Sequence, residues 1–149
     1  MSYEAWEKSV PVAIREDPLW TLRIYRTALY AGELGRCDAA YLSRRAGCAA
    51  IAQQLGRATG SISANIAEGY SRMGSRDRAL FYEYALGSAR ESRDWYFKVR
   101  EELGQSAGDA RLSLLTTIVK VLIVLVTRAR TRTSGRHVPA APAGNGGRE

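Results

Sequence analysis

The chain has 149 residues, the length of one domain, with 46% hydrophobic and 25% charged residues, as is typical of a globular protein. Its 22 Lys and Arg residues outnumber its 15 Asp and Glu residues, and the formal net charge of +7 is carried almost entirely by arginine, whose guanidinium suits carboxylates and phosphates. Two cysteines, Cys37 and Cys48, and one histidine, His137, exclude a disulfide framework, a structural zinc site and a histidine-based catalytic triad.

The first 16 residues form an N-terminal segment that does not resemble a signal peptide, because no basic start precedes a long apolar run. The longest apolar stretch, residues 112–126, contains Lys120 and is short for a membrane span. We therefore expect a cytoplasmic protein with no membrane among its partners.

Four helices are predicted between residues 17 and 130. Asp17 followed by Pro18 is a strong helix start, since Asp accepts from the free N–H groups and Pro lacks one. Gly35 is expected to end this helix, and residues 36–43 are expected to connect it to the next. The four predicted helices are residues 17–35, 46–70, 75–103 and 107–130.

The arrangement of these helices follows from their short connections, which favour antiparallel neighbours. No alternation typical of strands occurs in the sequence. The predicted fold is therefore all-α, an antiparallel up-down-up-down four-helix bundle over residues 17–130. Residues 131–149 are rich in Arg, Pro and Gly, offer no face to bury, and are predicted to form a disordered tail.

The fourth predicted helix is more apolar than one corner of a single bundle requires. One seam, from Leu112 to Val126, suits the core, and only a narrow stripe is polar. A second seam is predicted to pack against another copy of the chain, which gives a homo-oligomer. The alternative is that the N-terminal segment covers the second seam, with Tyr3, Trp6 and Val10 lying on the fourth helix. The second seam consists of Leu114, Ile118, Val121 and Leu125.

The second predicted helix is rich in Ala, Gly and Ser, with Gly56 and Gly60 one turn apart. A glycine inside a helix costs about 1 kcal/mol relative to alanine, so this pair predicts close approach by a neighbouring helix. We expect large aromatic residues of the third helix, such as Phe81 and Trp95, to use the gap. If Gly60 instead faces solvent, a larger residue there stabilises the protein.

Residues 61–92, SISANIAEGYSRMGSRDRALFYEYALGSARES, resemble the bacterial family of four-helix-bundle proteins encoded in 23S rRNA intervening sequences. That family typically reads S-I-P-x-N-I-A-E-G, then a short turn, then F-x-x-x-A-x-G-S-x-x-E-L. The chain departs from this pattern at Ser63, in place of Pro, and at Ser92, in place of Leu. The family-motif residues here are Ser61, Asn65, Glu68, Gly69, Phe81, Gly87, Ser88 and Glu91.

The resemblance implies an antiparallel four-helix bundle that assembles as a cyclic homopentamer. A related branch, the accessory variability determinant (Avd) of diversity-generating retroelements, is similar in fold and works with a reverse transcriptase and structured RNA. The resemblance therefore implies RNA or DNA and a reverse transcriptase as partners. Most members of the family have no established activity.

The polar motif residues are interpreted as structural. A di-metal site in a bundle needs His as well as carboxylates from all helices, and no predicted helix carries His. Asn65 and Ser88 are expected to satisfy backbone groups or each other, and Glu68 to accept from the start of the third helix or to pair with Arg72. We therefore predict a protein that is not an enzyme, with no metal, no cofactor and no small-molecule substrate.

Seven arginines are candidates for binding nucleic acid. Three surround the turn between the second and third helices, where cations oppose the helix dipole but, together with free N–H groups, favour a phosphate. In an up-down-up-down bundle the fourth helix ends beside that turn, so its arginines join the same end. We call these residues the basic pole: Arg72, Arg76, Arg78, Arg128, Arg130, Arg132 and Arg136.

The alternative assigns these arginines to stability. Glu68, Asp77 and Glu83 can neutralise the turn, while Arg128 and Arg130 suit the C-terminus of a helix. The sequence favours an oligomeric helical scaffold that binds nucleic-acid backbones through the basic pole. It leaves open a protein-interaction module whose arginines meet acidic partners.

Overall fold

The computed structural model describes the backbone of residues 2–134 and the side chains of residues 2–131. Within that part the chain is all-α, as the sequence predicts, but it has seven α-helices, because short helices accompany the long ones. A 3₁₀ turn, Pro18–Thr21, precedes the third helix. The helices are α1 (Tyr3–Ser9), α2 (Val12–Arg15), α3 (Arg23–Leu42), α4 (Ala49–Ser71), α5 (Ser75–Lys98), α6 (Arg100–Leu103) and α7 (Gln105–Ser134).

The first long helix begins later than predicted. Asp17 does act as a cap, since its Oδ1 accepts from the backbone N–H of Leu19 at 2.7 Å. It caps only the 3₁₀ turn, because the extended backbone of Leu22 separates that turn from α3. The α-helix therefore starts at Arg23 rather than next to Asp17.

The same helix also continues beyond its predicted end. Gly35 lies inside α3, which runs to Leu42, so the prediction of a connection over residues 36–43 is wrong. The glycine is needed for packing rather than for termination. A Cβ at Gly35 would overlap the side chain of Thr59 in α4.

The close approach predicted for the second helix exists, but its partner at Gly56 is α3, and the aromatic residues Phe81 and Tyr82 of α5 approach α4 at Gly69 instead. A Cβ on Gly56 would lie 3.4 Å from the Cβ of Ala39, and one on Gly32 would lie 3.5 Å from the carbonyl oxygen of Thr59. Gly60 is exposed, and a Cβ there would meet no described atom within 4 Å. The expectation of tight packing over Gly60 is therefore wrong.

The later helix ends also differ from prediction. The third predicted helix is divided, because α5 ends at Lys98 and α6 follows after Val99. The last helix, α7, extends to Ser134, so the first four residues of the predicted tail are helical. The rest of that predicted disordered tail, residues 135–149, lies outside the described residues.

The core lies between the four long helices. Helix α4 packs against α3 and α5, and α7 packs against α5 and, less extensively, against α3. Each long helix supplies fully buried side chains, as its apolar stripe requires. The largest of them are Leu42, Leu55, Ile62, Ile66, Tyr96, Leu115, Ile118 and Leu122.

The second seam of α7 is divided between core and surface. Ile118 is 0% exposed within its own chain, so its predicted place between copies is wrong. Leu114 and Leu125 are half-buried against the core, and Val121 is 39% exposed. The exposed apolar residues of α7 are Val121, Ile123 and Val124.

The N-terminal segment packs on α3, and not on the last helix as the alternative interpretation required. Trp6 and Val10 form a cluster with Tyr30 and Leu34 of α3, and the ring centroids of Trp6 and Tyr30 are 5.2 Å apart. Of α7, only Leu114 packs against this cluster among the described residues. The segment therefore leaves the exposed apolar residues of α7 uncovered.

By length and composition alone, residues 105–131 of α7 are apolar enough to cross a membrane, with a mean hydropathy of 2.0 over the most apolar 18-residue window. This differs from the expectation based on the shorter stretch 112–126. A core helix passes the same test, and Leu115 and Leu122 of α7 are at most 1% exposed. Only 28% of that window is buried, however, so α7 carries more apolar surface than its own chain covers.

Candidate nucleic-acid interface

The turn between α4 and α5 is short and is held by one of the predicted arginines. Arg78 donates from Nη2 to the carbonyl oxygen of Arg72 at 2.7 Å, which satisfies a carbonyl just beyond α4. Gly69 allows α5 to come close, because a Cβ there would lie 2.8 Å from Cε1 of Tyr82. Gly74 occupies the cap position of α5, so no side chain of the cap residue accepts from the first N–H groups.

The three arginines around this turn differ in their surroundings. Arg72 forms an ion pair with Glu68, one of the two roles predicted for that glutamate, and its guanidinium carbon lies 4.7 Å from the ring centroid of Phe81. Arg76 is exposed on the first turn of α5. Arg78 closes the turn through its hydrogen bond to the carbonyl oxygen of Arg72. The turn therefore presents two arginines, Arg76 and Arg78, that form no ion pair with a carboxylate of the described residues.

The end of α7 lies beside this turn. Arg78 and Arg128 line one open cavity of about 870 Å³. Arg130 joins α7 to α5 at the same end, with its Nη2 2.7 Å from Oε1 of Glu83. Arg132 belongs to the last turns of the α7 backbone, but its side chain and the whole of Arg136 lie outside the described residues.

Aromatic and polar side chains complete the wall of the cavity. Tyr70 of α4 is partly exposed, and Tyr82 of α5 is nearly buried. Burial raises the pKa of Tyr82, and the positive charge of Arg78 opposes the rise. The phenol is therefore neutral near pH 7. Two guanidiniums beside phenol groups can bind an anion such as a phosphate through charge-assisted hydrogen bonds.

Carboxylates neutralise only part of the basic pole. Glu68 pairs with Arg72, and Glu83 pairs with Arg130. Arg76, Arg78 and Arg128 form no ion pair with another described residue. Three guanidinium charges are consequently left to attract an anion.

The sequence prediction missed one further arginine at this end. Arg23 is exposed at the first position of α3 and lines a neighbouring groove, while the next residue, Ile24, lines both that groove and the cavity that Arg78 and Arg128 share. A helix that starts at Asp17 and Pro18, as the sequence predicts, would contain Arg23 in its second turn. No capping side chain precedes Arg23, since Leu22 occupies the cap position, so the sequence carries no local signal of the true start.

The polar residues of the family motif make contacts within and between helices. Glu91 pairs with Arg57 of α4 at 2.9 Å and accepts from Nε1 of Trp95 at 3.2 Å, so it joins two helices. Asn65 donates from Nδ2 to the carbonyl oxygen of Ser61 at 2.8 Å, which satisfies a backbone group.

The remaining motif residues are small or apolar. Phe81 and Ser88 are half-buried on α5, and the hydroxyl of Ser61 donates to the carbonyl oxygen of Arg57 at 2.8 Å. Gly87 is exposed, and a Cβ there would meet no described atom within 4 Å. None of these residues brings a nucleophile next to a base.

Both cysteines are free thiols, and they differ in exposure: Cys37 is exposed and Cys48 is buried. Between residues 2 and 134 no group of three His, Cys, Asp or Glu side chains has an arrangement that would hold a metal ion. The cluster of charge at the basic pole is thus the feature of the described chain with the clearest chemical use.

The fold and this cluster define an all-helical protein with a guanidinium-lined cavity at one end. A family model described as 23S rRNA-intervening sequence protein matches residues 44–123, more than half of the chain. The chain therefore belongs to the 23S rRNA-intervening sequence protein family. The match runs from the turn before α4 to within α7.

A solved structure supports the fold. The chain is similar to a crystal structure of a protein of unknown function from the S23 ribosomal protein family of Bacteroides thetaiotaomicron, with a TM-score of 0.66 and 21% identity. The similarity covers 69% of this chain and 97% of the other. No curated protein matches the chain.

Proposed function

We propose that this protein is a non-enzymatic antiparallel four-helix bundle that binds the phosphate backbone of nucleic acid through its basic pole. Helix directions favour this arrangement. Arg57, in the first half of α4, pairs with Glu91 in the second half of α5. Glu83, in the first half of α5, pairs with Arg130 near the end of α7. Both contacts are those of antiparallel neighbours.

The observation that carries the proposal is the cavity shared by Arg78 and Arg128. Two positive charges that face a common space repel each other, and neither forms an ion pair with another described residue. A bound phosphate removes that repulsion and accepts hydrogen bonds from both guanidiniums. Phosphate contacts of this kind position a protein on nucleic acid without reading its sequence.

Assembly into a homo-oligomer extends the same proposal. Val121, Ile123 and Val124 of α7 are each about 40% exposed, and a second copy would remove this apolar surface from water. Cyclic symmetry would repeat the basic pole into a ring of positive charge. A pentamer, and an accessory role beside a reverse transcriptase like that of Avd, are expectations from the motif resemblance.

The second candidate is a protein-interaction module whose arginines meet an acidic partner. It is favoured by the ion pairs of Arg72 and Arg130, which show that this end already accommodates carboxylates. The two candidates differ in how binding responds to salt and to the type of polyanion.

The test is to change Arg76, Arg78 and Arg128 together to Gln and to measure binding of a labelled hairpin RNA at several salt concentrations. Each phosphate that is neutralised releases counterions, so the loss of three contacts should reduce the slope of log affinity against log salt by about 2 to 3. The matched control changes Arg44, Arg45 and Lys98, exposed cations at the opposite end, to Gln. This variant has the same net charge and should bind like the wild type.

Two outcomes would overturn the proposal. If the wild type does not bind the hairpin, or binds it independently of salt, the protein-interaction alternative takes its place. If the control variant loses as much affinity as the test variant, net charge and not the basic pole governs binding.

A further inference from the structure

Exposed apolar side chains lie next to the arginines of the basic pole. Met73, in the turn before α5, is 97% exposed, and Tyr84 is 51% exposed. Leu80 and Tyr84 follow Arg76 at intervals of four residues, so the three side chains lie along one face of α5. One arginine, one leucine and one tyrosine therefore share a single exposed face of α5, which we call the stripe.

The stripe is continuous with the turn through two ring contacts. The guanidinium carbon of Arg72 lies 4.7 Å from the ring centroid of Phe81. The rings of Phe81 and Tyr84 are 5.8 Å apart between centroids and nearly perpendicular, at 89°. This edge contact holds the exposed ring of Tyr84 in place, so little freedom is lost when another flat group stacks on it.

We propose that Tyr84 stacks on an unpaired base, so that the basic pole binds single-stranded nucleic acid more tightly than a fully paired duplex. This inference rests on the proposed function, because the arginines must hold the phosphates of the same strand. Proteins that bind single strands combine a positive surface with exposed aromatic rings, on which bases stack irrespective of sequence. A duplex keeps its bases stacked on one another and offers only phosphates and groove edges.

The opposite end of the molecule provides a contrast within the same helix. Phe97, near the end of α5, is 55% exposed and has the guanidinium carbon of Arg100 4.3 Å from its ring centroid. The two acidic residues Glu101 and Glu102 follow in α6, and both are exposed. These carboxylates repel phosphates, so a ring in this position is unsuited to a bound strand.

The experiment compares a single-stranded oligoribonucleotide of mixed sequence with the same strand paired to its complement, by fluorescence anisotropy at one salt concentration. We expect the wild type to prefer the single strand. Tyr84→Ala should weaken single-strand binding about tenfold, as expected for one lost stack, and duplex binding less than twofold. Tyr84→Phe, which keeps the ring, and Phe97→Ala, the matched control at the opposite end, should bind like the wild type.

The outcomes separate this inference from the proposed function. If the wild type binds neither nucleic acid, the proposed function itself fails. If it binds both equally and Tyr84→Ala changes nothing, or if Tyr84→Ala weakens both equally, only the stacking role is refuted. Light scattering on each variant supplies the second readout. A change in mass for Tyr84→Ala would assign the ring to a contact between copies and would also overturn the inference.

Discussion

Arg111, at one end of the molecule, and Arg78 and Arg128, at the other, differ in their partners. At the end formed by the α3–α4 turn and the start of α7, Arg111 donates from Nε to Oδ2 of Asp38 at 2.8 Å and from Nη2 to Oδ1 at 3.3 Å. The hydroxyl of Tyr96 donates to the same Oδ2 at 2.8 Å. This network joins α3, α5 and α7 and is largely shielded from water, with the Arg111 and Asp38 side chains 22% and 14% exposed.

At the basic pole, Arg78 and Arg128 face an open cavity and have no carboxylate partner among the described side chains. A guanidinium held at both nitrogens by one carboxylate stabilises the fold and has few donors left for a ligand. Arg78 uses one donor to hold the α4–α5 turn, through the carbonyl oxygen of Arg72, and its other donors and those of Arg128 stay available for an anion. The difference is therefore one of available hydrogen-bond donors, which composition alone does not reveal.

The largest effect on stability is expected from removing the carboxylate of the network. Asp38→Ala leaves the Arg111 charge and the Tyr96 hydroxyl without their shared acceptor, which should cost roughly 3 kcal/mol because the site is mostly shielded from solvent. Urea unfolding measures the change. The control is Asp94→Ala, which removes the exposed partner of Lys98 and should cost less than about 1 kcal/mol.

Equal, small losses for these two aspartate variants would show that the network is no more stabilising than a surface ion pair. That result would contradict the claim that arginine at this end stabilises the fold. Nucleic-acid binding by Asp38→Ala under conditions where it is folded should match the wild type, because the network lies away from the basic pole.

A smaller effect is expected where α5 approaches α4 at the basic pole. Gly69→Ala places a Cβ 2.8 Å from the Tyr82 ring and should destabilise the protein by roughly 2 kcal/mol through overpacking. Gly60→Ala is the matched control on the same helix, since its Cβ would meet no described atom within 4 Å. It should stabilise by up to about 1 kcal/mol, because alanine is the better helix former. Shifts of the same sign in thermal unfolding would contradict this account.

Local sequence patterns predicted the helical class and the core seam of α7. These features depend on the spacing of residues within one helix. The family motif also marked Gly69, although only the structure shows that the Tyr82 ring occupies the space beside it.

Features that depend on distant residues were not predictable in this way. In the sequence, Gly35 resembles a helix terminator. The structure shows that its role is to leave space for the Thr59 side chain of another helix. Tyr96 and Arg111 lie 58 and 73 residues after Asp38 along the chain, so no local pattern joins the three residues. Tyr84 belongs to an ordinary amphipathic run, and its exposure beside Phe81 emerges only from the packing of α5.

The smallest expected difference between the two ends is in how their tyrosines affect the pH dependence of stability. At the network, burial, followed by the charge of Asp38 and the hydrogen bond to it, raises the pKa of Tyr96 far above its ordinary value of 10.0. At the basic pole, burial raises the pKa of Tyr82, but the charge of Arg78 opposes the rise. Both phenols stay protonated in the folded and unfolded states below about pH 9, so neither affects the pH dependence there.

As the pH rises through 10, the unfolded chain releases these protons while the folded chain keeps them, so stability falls by up to about 1.4 kcal/mol per pH unit for each such tyrosine. Tyr96→Phe should remove one such contribution and flatten the decline, although it costs about 1 kcal/mol near neutrality through the lost hydrogen bond to Asp38. Tyr82→Phe should flatten it less. Urea unfolding of the wild type and both variants between about pH 8 and pH 11 provides the comparison. If the curve of Tyr96→Phe runs parallel to that of the wild type, its hydroxyl is not shielded, and the network is as open as the basic pole.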